Sequence, residues 1–260
     1  MPTATSTIEA YDDYAEKWTD RARRRESTAR TYCEQPAMRA QLPDLTGQDV
    51  LCIGCGSGEE CQYLLSLGAK SVVGIDISDG QIQCARKLYP DMTFKTMDME
   101  YLDFVDKSFD FVYSSLVMHY TDSWQQTLRE VYRVLKNGGR MLLSTHHPTI
   151  WGGHRVRDDS THSVILGYRK DLIARTCEIY GDYFDPRIIH DTWFGDFQIS
   201  FFHRPLADLM RDILESRFLL SHFSEPRVID EARNHDPIFW EIHRHIPLFL
   251  ILELEKQSDE

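Results

Sequence analysis

The fold is decided by the stretch Asp49-Val-Leu-Cys-Ile-Gly54-Cys-Gly56-Ser-Gly58-Glu-Glu60. It begins with Val50-Leu-Cys-Ile53, a short apolar run of the kind that buried strands show. Three glycines follow at alternate positions, and a helical pattern begins at Glu59. A strand, a glycine turn and a helix N-terminus together place backbone N–H groups where a ligand can approach them closely. We therefore predict a binding site at this turn.

A second apolar run, Ser71-Val-Val-Gly-Ile-Asp76, ends in a carboxylate 18 residues after Gly58. An acid at the tip of the second strand is placed to accept both ribose hydroxyls of a nucleoside. A dinucleotide fingerprint would need glycine where Glu59 stands, and that carboxylate would repel a pyrophosphate. The Gly-Lys-Ser/Thr of a phosphate-binding loop is also missing. The pattern favours a nucleoside without phosphates over a turn that binds nothing.

The glycine turn and Asp76 resemble the first two motifs of the class I S-adenosylmethionine (SAM) methyltransferases. A later segment, Leu128-Arg-Glu-Val-Tyr-Arg-Val-Leu-Lys-Asn-Gly-Gly-Arg140, strongly resembles the small-molecule members of that class. His203-Arg-Pro-Leu206 and Glu225-Pro226 are similar to its C-terminal part, so the resemblance leaves out mainly residues 151–200. It implies SAM as cofactor and S-adenosyl-L-homocysteine as product.

The resemblance also implies an α/β fold with a Rossmann-like, seven-stranded, mostly parallel sheet whose last strand is antiparallel. We expect four parts: an N-terminal helical lid (1–45), a SAM-binding core (46–150), an inserted β-rich cap (151–202) and the C-terminal part of the core sheet (203–260). The cap is predicted because aromatic residues are dense where the strand–helix alternation stops. Such a cap could bind a flat acceptor or bury itself in a homodimer.

Hydrophobic spacing predicts a helix over residues 6–18 and a second one over residues 29–43. Ser78 and Asp122 each stand at the start of a capping box and are expected to begin helices. Further strands are predicted over residues 92–97, 108–114, 140–144, 217–223 and 246–254.

The resemblance assigns a set of residues to the cofactor: Tyr14, Gly54, Cys55, Gly56, Gly58, Asp76, Ile77, Gln81, Asp98, Met99 and Ser114. In the family an acid after the third strand takes the adenine amino group, and the next side chain packs on the ring. Asp98-Met99 matches that pattern, although a surface Asp in a turn would look the same. Two positions depart from the family. Cys52 stands where an acid helps to order the amino-acid end of SAM, and Gln81 where an apolar side chain packs on adenine.

Histidines and aromatic residues after the fourth and fifth strands form the predicted acceptor site, because the carboxyl ends of parallel strands face the ligand crevice. His119 and His146 are the candidate catalytic residues, with His119 as the base, since imidazole takes a proton near neutral pH. A structural histidine is the alternative. The predicted substrate-binding residues are Tyr11, Trp18, Tyr120, His147, Trp193 and His203. For the N-terminal aromatic residues, core packing is the alternative.

The net charge of −12 and the pI of about 5.4 argue against a groove that follows nucleic-acid phosphates. The basic run Arg21-Ala-Arg-Arg-Arg25 is interpreted as a solvated helix face. No apolar run is long enough to span a membrane and no signal pattern begins the chain, so a cytoplasmic protein is expected. The cysteines are interpreted as reduced thiols; Cys52-Ile-Gly-Cys55 has no second pair to complete a metal site.

These observations favour a SAM-dependent methyltransferase that moves a methyl group to N or O of a small aromatic or heterocyclic acceptor by in-line displacement. Residues 114–117 read Ser-Ser-Leu-Val, not the Asn-Pro-Pro-Tyr that signals methylation of nucleic-acid or glutamine amino groups. An RNA or protein methyltransferase and a catalytically silent SAM-fold protein are the alternatives. An NAD-dependent oxidoreductase is disfavoured by Glu59.

Overall fold

The computed structural model describes residues 5–153 and 166–257, so parts of the predicted lid (1–4), cap (154–165) and C-terminal segment (258–260) lie outside the described residues. The strands are β1 (Asp49–Ile53), β2 (Ser71–Asp76), β3 (Thr93–Thr96), β4 (Phe109–Ser115), β5 (Leu135–His146), β6 (Gly167–Asp171), β7 (Thr176–Tyr180), β8 (Arg187–Trp193), β9 (Phe197–His203), β10 (Phe218–Ser224) and β11 (Phe249–Lys256). The helices are α1 (Thr5–Asp13), α2 (Ala15–Arg23), α3 (Gln35–Ala40), α4 (Glu59–Ser66), α5 (Asp79–Leu88), α6 (Trp124–Val134), α7 (Pro148–Trp151), α8 (Leu206–Glu215), α9 (Ala232–His235) and α10 (Pro237–His243).

Seven of the strands form one sheet in the order β10-β11-β5-β4-β1-β2-β3. The pairs from β5 through β4, β1 and β2 to β3 are all parallel. The last strand, β11, lies between β5 and β10 and is antiparallel to both. This confirms the predicted sheet. The carboxyl ends of the parallel strands meet at one edge, where open α/β sheets bind their ligands.

The sheet is covered on both faces by apolar side chains. Val50, Leu51, Cys52 and Ile53 of β1 are at most 2% exposed, as the continuous apolar run predicted. One face packs against α6 and α8 through Leu128, Val131 and Ile213, and the other packs against α4 and α5 through Leu64 and Ile82. Burial on both faces fixes the strand ends that carry the site residues.

The first predicted helix is two helices, because the chain departs from helical geometry at Tyr14, where φ is −97° and ψ is 3°. The second predicted helix begins as a π-helical turn, Arg30–Glu34, and continues as α3. Such turns are rare and are frequent at functional sites. This one ends in a carboxylate that is fully buried beneath the site.

Two predicted boundaries near β5 were wrong. The N-cap of α6 is Ser123, whose hydroxyl accepts the N–H of Gln126, and Asp122 precedes it. The strand β5 begins at Leu135 rather than Arg140, because Leu135 already pairs with Phe109 of β4 before a register shift. The predicted helix N-cap at Ser78 is confirmed, because the hydroxyl of Ser78 accepts the N–H of Gln81 at 3.1 Å.

The predicted cap region contains two hairpins, β6–β7 and β8–β9. The second is joined to α1, because Thr7 Oγ1 donates to the carbonyl of Ser200 at 3.1 Å and accepts its N–H at 3.0 Å. The lid and this hairpin therefore cover the sheet edge together. The first hairpin leaves apolar side chains exposed (Tyr168, Leu172, Ile173 and Ile179). The homodimer through the cap stays a prediction.

Helices α9 and α10 lie between β10 and β11, in a stretch for which the sequence patterns predicted no helix. Phe239 and His243 of α10 line a cavity at the carboxyl edge of the sheet. Across residues 5–153 and 166–257, no helix combines the length and the apolarity that crossing a membrane requires.

Candidate active site

A cavity of about 540 Å³ opens at the carboxyl edge of the sheet. The strand ends line one side of it, and α1, α2 and the β8–β9 turn line the other. Fourteen of the predicted site residues line it: Tyr11, Trp18, Gly54, Cys55, Gly56, Asp76, Ile77, Gln81, Asp98, Met99, His119, Tyr120, His146 and Trp193. The structure thus brings most of the predicted cofactor and acceptor residues to one continuous cavity.

The glycine turn after β1 has a backbone that other residues adopt only with strain. Gly54, Gly56 and Gly58 all have positive φ, at 64°, 52° and 91°. A Cβ at Gly54 would lie 2.2 Å from Cγ2 of Val117, so this backbone is also too close to the segment after β4 for a side chain. Gly58 does not line the cavity. It is the N-cap of α4, and a Cβ there would lie 2.9 Å from the ring of Phe94.

Asp76 fixes the glycine turn to the end of β2. Its carboxylate accepts the N–H of Gly56 at 2.9 Å and the N–H of Ser78 at 3.0 Å. Burial raises the pKa of this carboxyl, whereas the N–H groups of Ser78 and Gly56 lower it. Each carboxylate oxygen retains a further lone pair, so Asp76 can still accept hydrogen bonds from a ligand in the cavity.

Near the glycine turn, the cavity wall presents the side-chain amide of Gln81, which has no partner among the described residues. Both amide atoms of Gln81 are buried without a hydrogen bond, and its Oε1 would lie 3.7 Å from a Cβ at Gly56. Asp98 accepts the N–H of Glu100 at 2.9 Å, which makes it both a turn residue and a cavity residue. An unsatisfied buried amide facing a cavity indicates a missing ligand.

His119 and His146 are stacked, with ring centroids 3.6 Å apart and planes 13° apart. Both nitrogens of His119 are buried and lack a hydrogen-bond partner within the described part of the chain. Burial lowers the pKa of His119 to about 3, so its imidazole is neutral near pH 7. A neutral imidazole can accept one hydrogen bond and donate another. This geometry suits a residue that orients an acceptor.

Aromatic rings enclose the same end of the cavity. The hydroxyls of Tyr11 and Tyr120 lie 2.7 Å apart, and Trp18 stacks on Trp193 with centroids at 6.3 Å. Trp151, which sequence reasoning did not select as a site residue, stacks on His146 at 4.8 Å. These rings form a flat-sided chamber, which we call the aromatic end: Tyr11, Trp18, His119, Tyr120, His146, Trp151, Trp193 and Phe194.

The basic run of α2 is not a solvated face throughout. Arg21 lines the cavity, and its guanidinium carbon lies 3.9 Å from the centroid of the Phe194 ring. Its Nε is 3.3 Å from a carboxylate oxygen of Glu26. Arg21 faces inward because Trp18, one turn earlier in α2, packs against the β8–β9 turn. A hydrophobic-periodicity argument cannot find an inward-facing arginine.

Four other predicted residues lie outside the cavity lining. Tyr14 donates its hydroxyl to Asp196 at 3.0 Å. Ser114 is buried on the sheet, because the side chains of β4 alternate and it is the next residue, Ser115, that lines the cavity. His147 and His203 are described next.

His147 and His203 hold the backbone rather than the cavity. His147 Nδ1 accepts the N–H of Thr149 at 3.1 Å, so its Nε2–H donates to Glu225 at 2.7 Å. His203 Nε2 donates to the carbonyl of Tyr183 at 2.9 Å. Burial lowers the pKa of both histidines. Glu225 and Tyr183 are distant in the chain from these histidines, so no local sequence pattern indicates these roles.

Cys33, Cys52, Cys55 and Cys61 are buried free thiols, which agrees with their interpretation as small apolar residues. Within the part of the chain that the structure describes, no three His, Cys, Asp or Glu side chains are arranged to hold a metal ion.

Comparison with known proteins identifies the family. Residues 51–143 match the methyltransferase domain family Methyltransf_11. A crystal structure of an S-adenosylmethionine-dependent methyltransferase from Mesorhizobium loti is 28% identical, with a TM-score of 0.69 over 85% of this chain and 97% of that one. The chain is a class I SAM-dependent methyltransferase, and SAM is its cofactor.

Other similar proteins include one that is uncharacterized and two whose names give different methyl acceptors. An uncharacterized Haemophilus influenzae protein is 26% identical over 84% of this chain and 85% of its own. The malonyl-[acyl-carrier protein] O-methyltransferase of Erwinia billingiae is 35% identical over 38% of this chain and 39% of its own. The human eEF1A lysine and N-terminal methyltransferase is 38% identical over 36% of this chain, which spans only 14% of that protein.

A Burkholderia thailandensis 1,6-didemethyltoxoflavin-N1-methyltransferase, solved with its acceptor and S-adenosylhomocysteine, shares the fold. Its TM-score is 0.56 at 16% identity, over 98% of this chain and 87% of that one.

Proposed function

We propose that the enzyme methylates N or O of a small, flat, aromatic or heterocyclic acceptor that is neutral or anionic. The observation that carries this proposal is the aromatic end, because it is continuous with the glycine turn and Asp76 in one cavity. A cavity of about 540 Å³ has the size of a small-molecule site.

The residues present fit the cofactor. We propose that the ribose hydroxyls lie at Asp76 and that the base lies between Ile77 and Met99, within reach of Asp98. The buried amide of Gln81 and the open lone pairs of Asp76 support this placement. Bound SAM supplies an activated methyl group that a nucleophile attacks in line with the leaving sulfur.

The chain itself supplies orientation. Rings on opposite sides of the aromatic end restrict a flat acceptor to few poses, and such alignment is worth at most about 7–11 kcal/mol of the barrier. His119 would accept a hydrogen bond from the attacking O–H or N–H, which points a lone pair of that atom at the methyl group. Its low pKa makes it a weak base, so we assign it orientation first and proton acceptance only as the nucleophile loses its proton.

The charged side chains that line the cavity favour a small neutral or anionic acceptor over a protein amine. Among the described residues that line the cavity, the four carboxylates (Glu59, Glu60, Asp76 and Asp98) follow β1, β2 and β3, on the cofactor side. At the aromatic end, the part of the lining that lies within residues 5–153 and 166–257 contains Arg21 and no carboxylate. A lysine ammonium or a protein N-terminus would enter this end without a counter-ion, which is costly. Methylation of a protein is the second candidate because of the human relative.

Three ligands that share one ring test the proposal: phenol, 4-hydroxybenzoate and tyramine, which are neutral, anionic and cationic. Binding to the S-adenosylhomocysteine complex is followed by tryptophan fluorescence, since three tryptophans line the cavity (Trp18, Trp151 and Trp193). We expect phenol and 4-hydroxybenzoate to bind more tightly than tyramine. We also expect His119→Phe to lower the turnover number for whichever phenol the wild-type enzyme methylates. Tighter binding of tyramine than of the other two ligands would overturn the proposal. So would methylation of a lysine peptide by an enzyme that methylates none of the aromatic compounds.

A further inference from the structure

The cavity wall at the end of β1 carries charge where Cys52 supplies none. Cys52 is buried and lines the cavity as a thiol. Arg30, Glu59 and Glu60 line the cavity beside it, and the buried carboxylate of Glu34 lies behind them. Glu34, Glu59 and Glu60 therefore all lie close enough to act on the charge of Arg30, and Nη2 of Arg39 is a second guanidinium nitrogen 3.7 Å from Oε1 of Glu60.

Glu60, the second residue of α4, is held in place by one of its oxygens only. Oε1 accepts Nη2 of Arg30 at 2.8 Å and Nε2 of Gln35 at 2.8 Å. Oε2 is buried and has no hydrogen-bond partner among the residues that the structure describes. A carboxylate oxygen that is removed from water without a donor costs free energy, so Oε2 is a candidate acceptor for the N–H groups of a ligand, in particular an ammonium.

Glu60 and Cys52 both lie near the hydroxyl of Tyr113. Cys52 pairs with Tyr113 across β1 and β4, and the pKa of the Tyr113 hydroxyl is raised first by burial and then by Glu60 and Glu34. Glu34 is a weaker candidate, because it does not line the cavity and its Oε1 already accepts the hydroxyls of Ser115 and Ser144. Glu60 is therefore the carboxylate that combines a free buried oxygen with access to the cavity beside Cys52.

We propose that Glu60 Oε2 binds the α-ammonium of SAM and replaces, from the first turn of α4, the acid that Cys52 does not provide. Arg30 and Gln35 are positioning residues, because they hold Oε1 and leave Oε2 without a donor among the described residues. The inference rests on SAM as the cofactor and not on the identity of the acceptor.

Two ligands separate this role from a structural one: S-adenosylhomocysteine, which carries the amino-acid end, and 5′-methylthioadenosine, which lacks it. Their dissociation constants are measured by calorimetry on wild type, Glu60→Gln, Glu59→Gln and the double variant Cys52→Asp/Glu60→Gln. Glu59→Gln removes the same charge one residue away. Binding of 5′-methylthioadenosine also reports that each variant retains a folded pocket.

We expect Glu60→Gln to weaken S-adenosylhomocysteine about 10- to 100-fold, as for loss of a charged hydrogen bond, and to leave 5′-methylthioadenosine unchanged. Cys52→Asp should restore most of that loss in the double variant, because it returns a carboxylate to the same wall of the cavity. Glu59→Gln should change the ratio of the two constants less than threefold. Equal losses for both ligands in Glu60→Gln, equal effects of the two single variants, or no restoration by Cys52→Asp would overturn the proposal.

Discussion

The buried imidazole of His119 should make the protein sensitive to acid by a calculable amount. Burial lowers its folded pKa to about 3, whereas histidine in an unfolded chain titrates near about 6.5. At pH 7 both states are neutral. As the pH falls below about 6.5, the unfolded chain binds a proton that the folded chain refuses, so the free energy of unfolding falls. Between pH 7 and pH 5 the loss is about 2 kcal/mol.

The test is urea unfolding of wild type and His119→Phe at pH 7 and at pH 5, followed by circular dichroism. The variant keeps a ring against His146 but cannot titrate. Any constant cost of the substitution cancels, because each protein is compared with itself at the two pH values. We expect wild type to lose about 2 kcal/mol more than the variant does. His245→Phe, at an exposed side chain, is the matched control and should behave as wild type.

An equal loss of stability in wild type and His119→Phe would refute the argument, because it would mean that the imidazole is solvated or paired in the folded state. The same measurement bears on catalysis. A histidine that stays neutral from about pH 5 upward cannot produce an inflection in turnover near its ordinary pKa.

Three further predictions concern the cavity. Asp76→Ala should abolish the rise in melting temperature that saturating S-adenosylhomocysteine produces in wild type, which we expect to be roughly 5–10 °C at about 100-fold over the dissociation constant. Gly54→Ala should destabilise the fold by at least about 1–2 kcal/mol, since φ is 64° there; in urea unfolding, adding Val117→Ala should recover only the part due to the clash. Arg21→Gln should weaken 4-hydroxybenzoate about two- to fivefold in the fluorescence titration and leave phenol unchanged; equal weakening of both would show that Arg21 shapes the wall without reading charge.

The strands of the core and the cofactor edge could be predicted because they depend on local patterns, whereas the arrangement of the strands in the sheet was implied by the family resemblance. An apolar strand, three left-handed glycines and an acid at the next strand tip constrain the backbone within 28 residues, from Asp49 to Asp76. The alternation of β4 was also local, yet the prediction selected Ser114. Its neighbour Ser115 lines the cavity instead, because successive side chains of a strand point to opposite faces.

The sequence could not predict which histidines face the cavity, because their partners are distant in the chain. His146 and His147 are adjacent, but the N–H of His147 bonds to the carbonyl of Leu248 at 2.9 Å and its ring bonds to Glu225. These long-range contacts turn one ring toward the aromatic end and the other toward α7. Arg21 and Glu60 were missed for a different reason: charged residues on helices are usually solvated, so their spacing does not predict that they line a cavity.

The separation of charge along the cavity suits a methyl transfer from a sulfonium ion. Four carboxylates line the cofactor side, and Arg30 is the arginine that offsets them there. A negative wall favours the cationic donor, and it favours the neutral thioether product less, because the product has lost one positive charge. The wall therefore contributes to exchange of product for new donor. If Glu60 binds the ammonium that both molecules carry, Glu60→Gln should weaken both SAM and S-adenosylhomocysteine, because loss of the shared contact outweighs loss of one charge from the wall. Asp76→Asn, which removes a charge that the Gly56 and Ser78 N–H groups hold beside the turn, should instead narrow the preference for SAM. Competition calorimetry with both ligands measures the two ratios, and a SAM preference unchanged in Asp76→Asn would show that the wall does not distinguish donor from product.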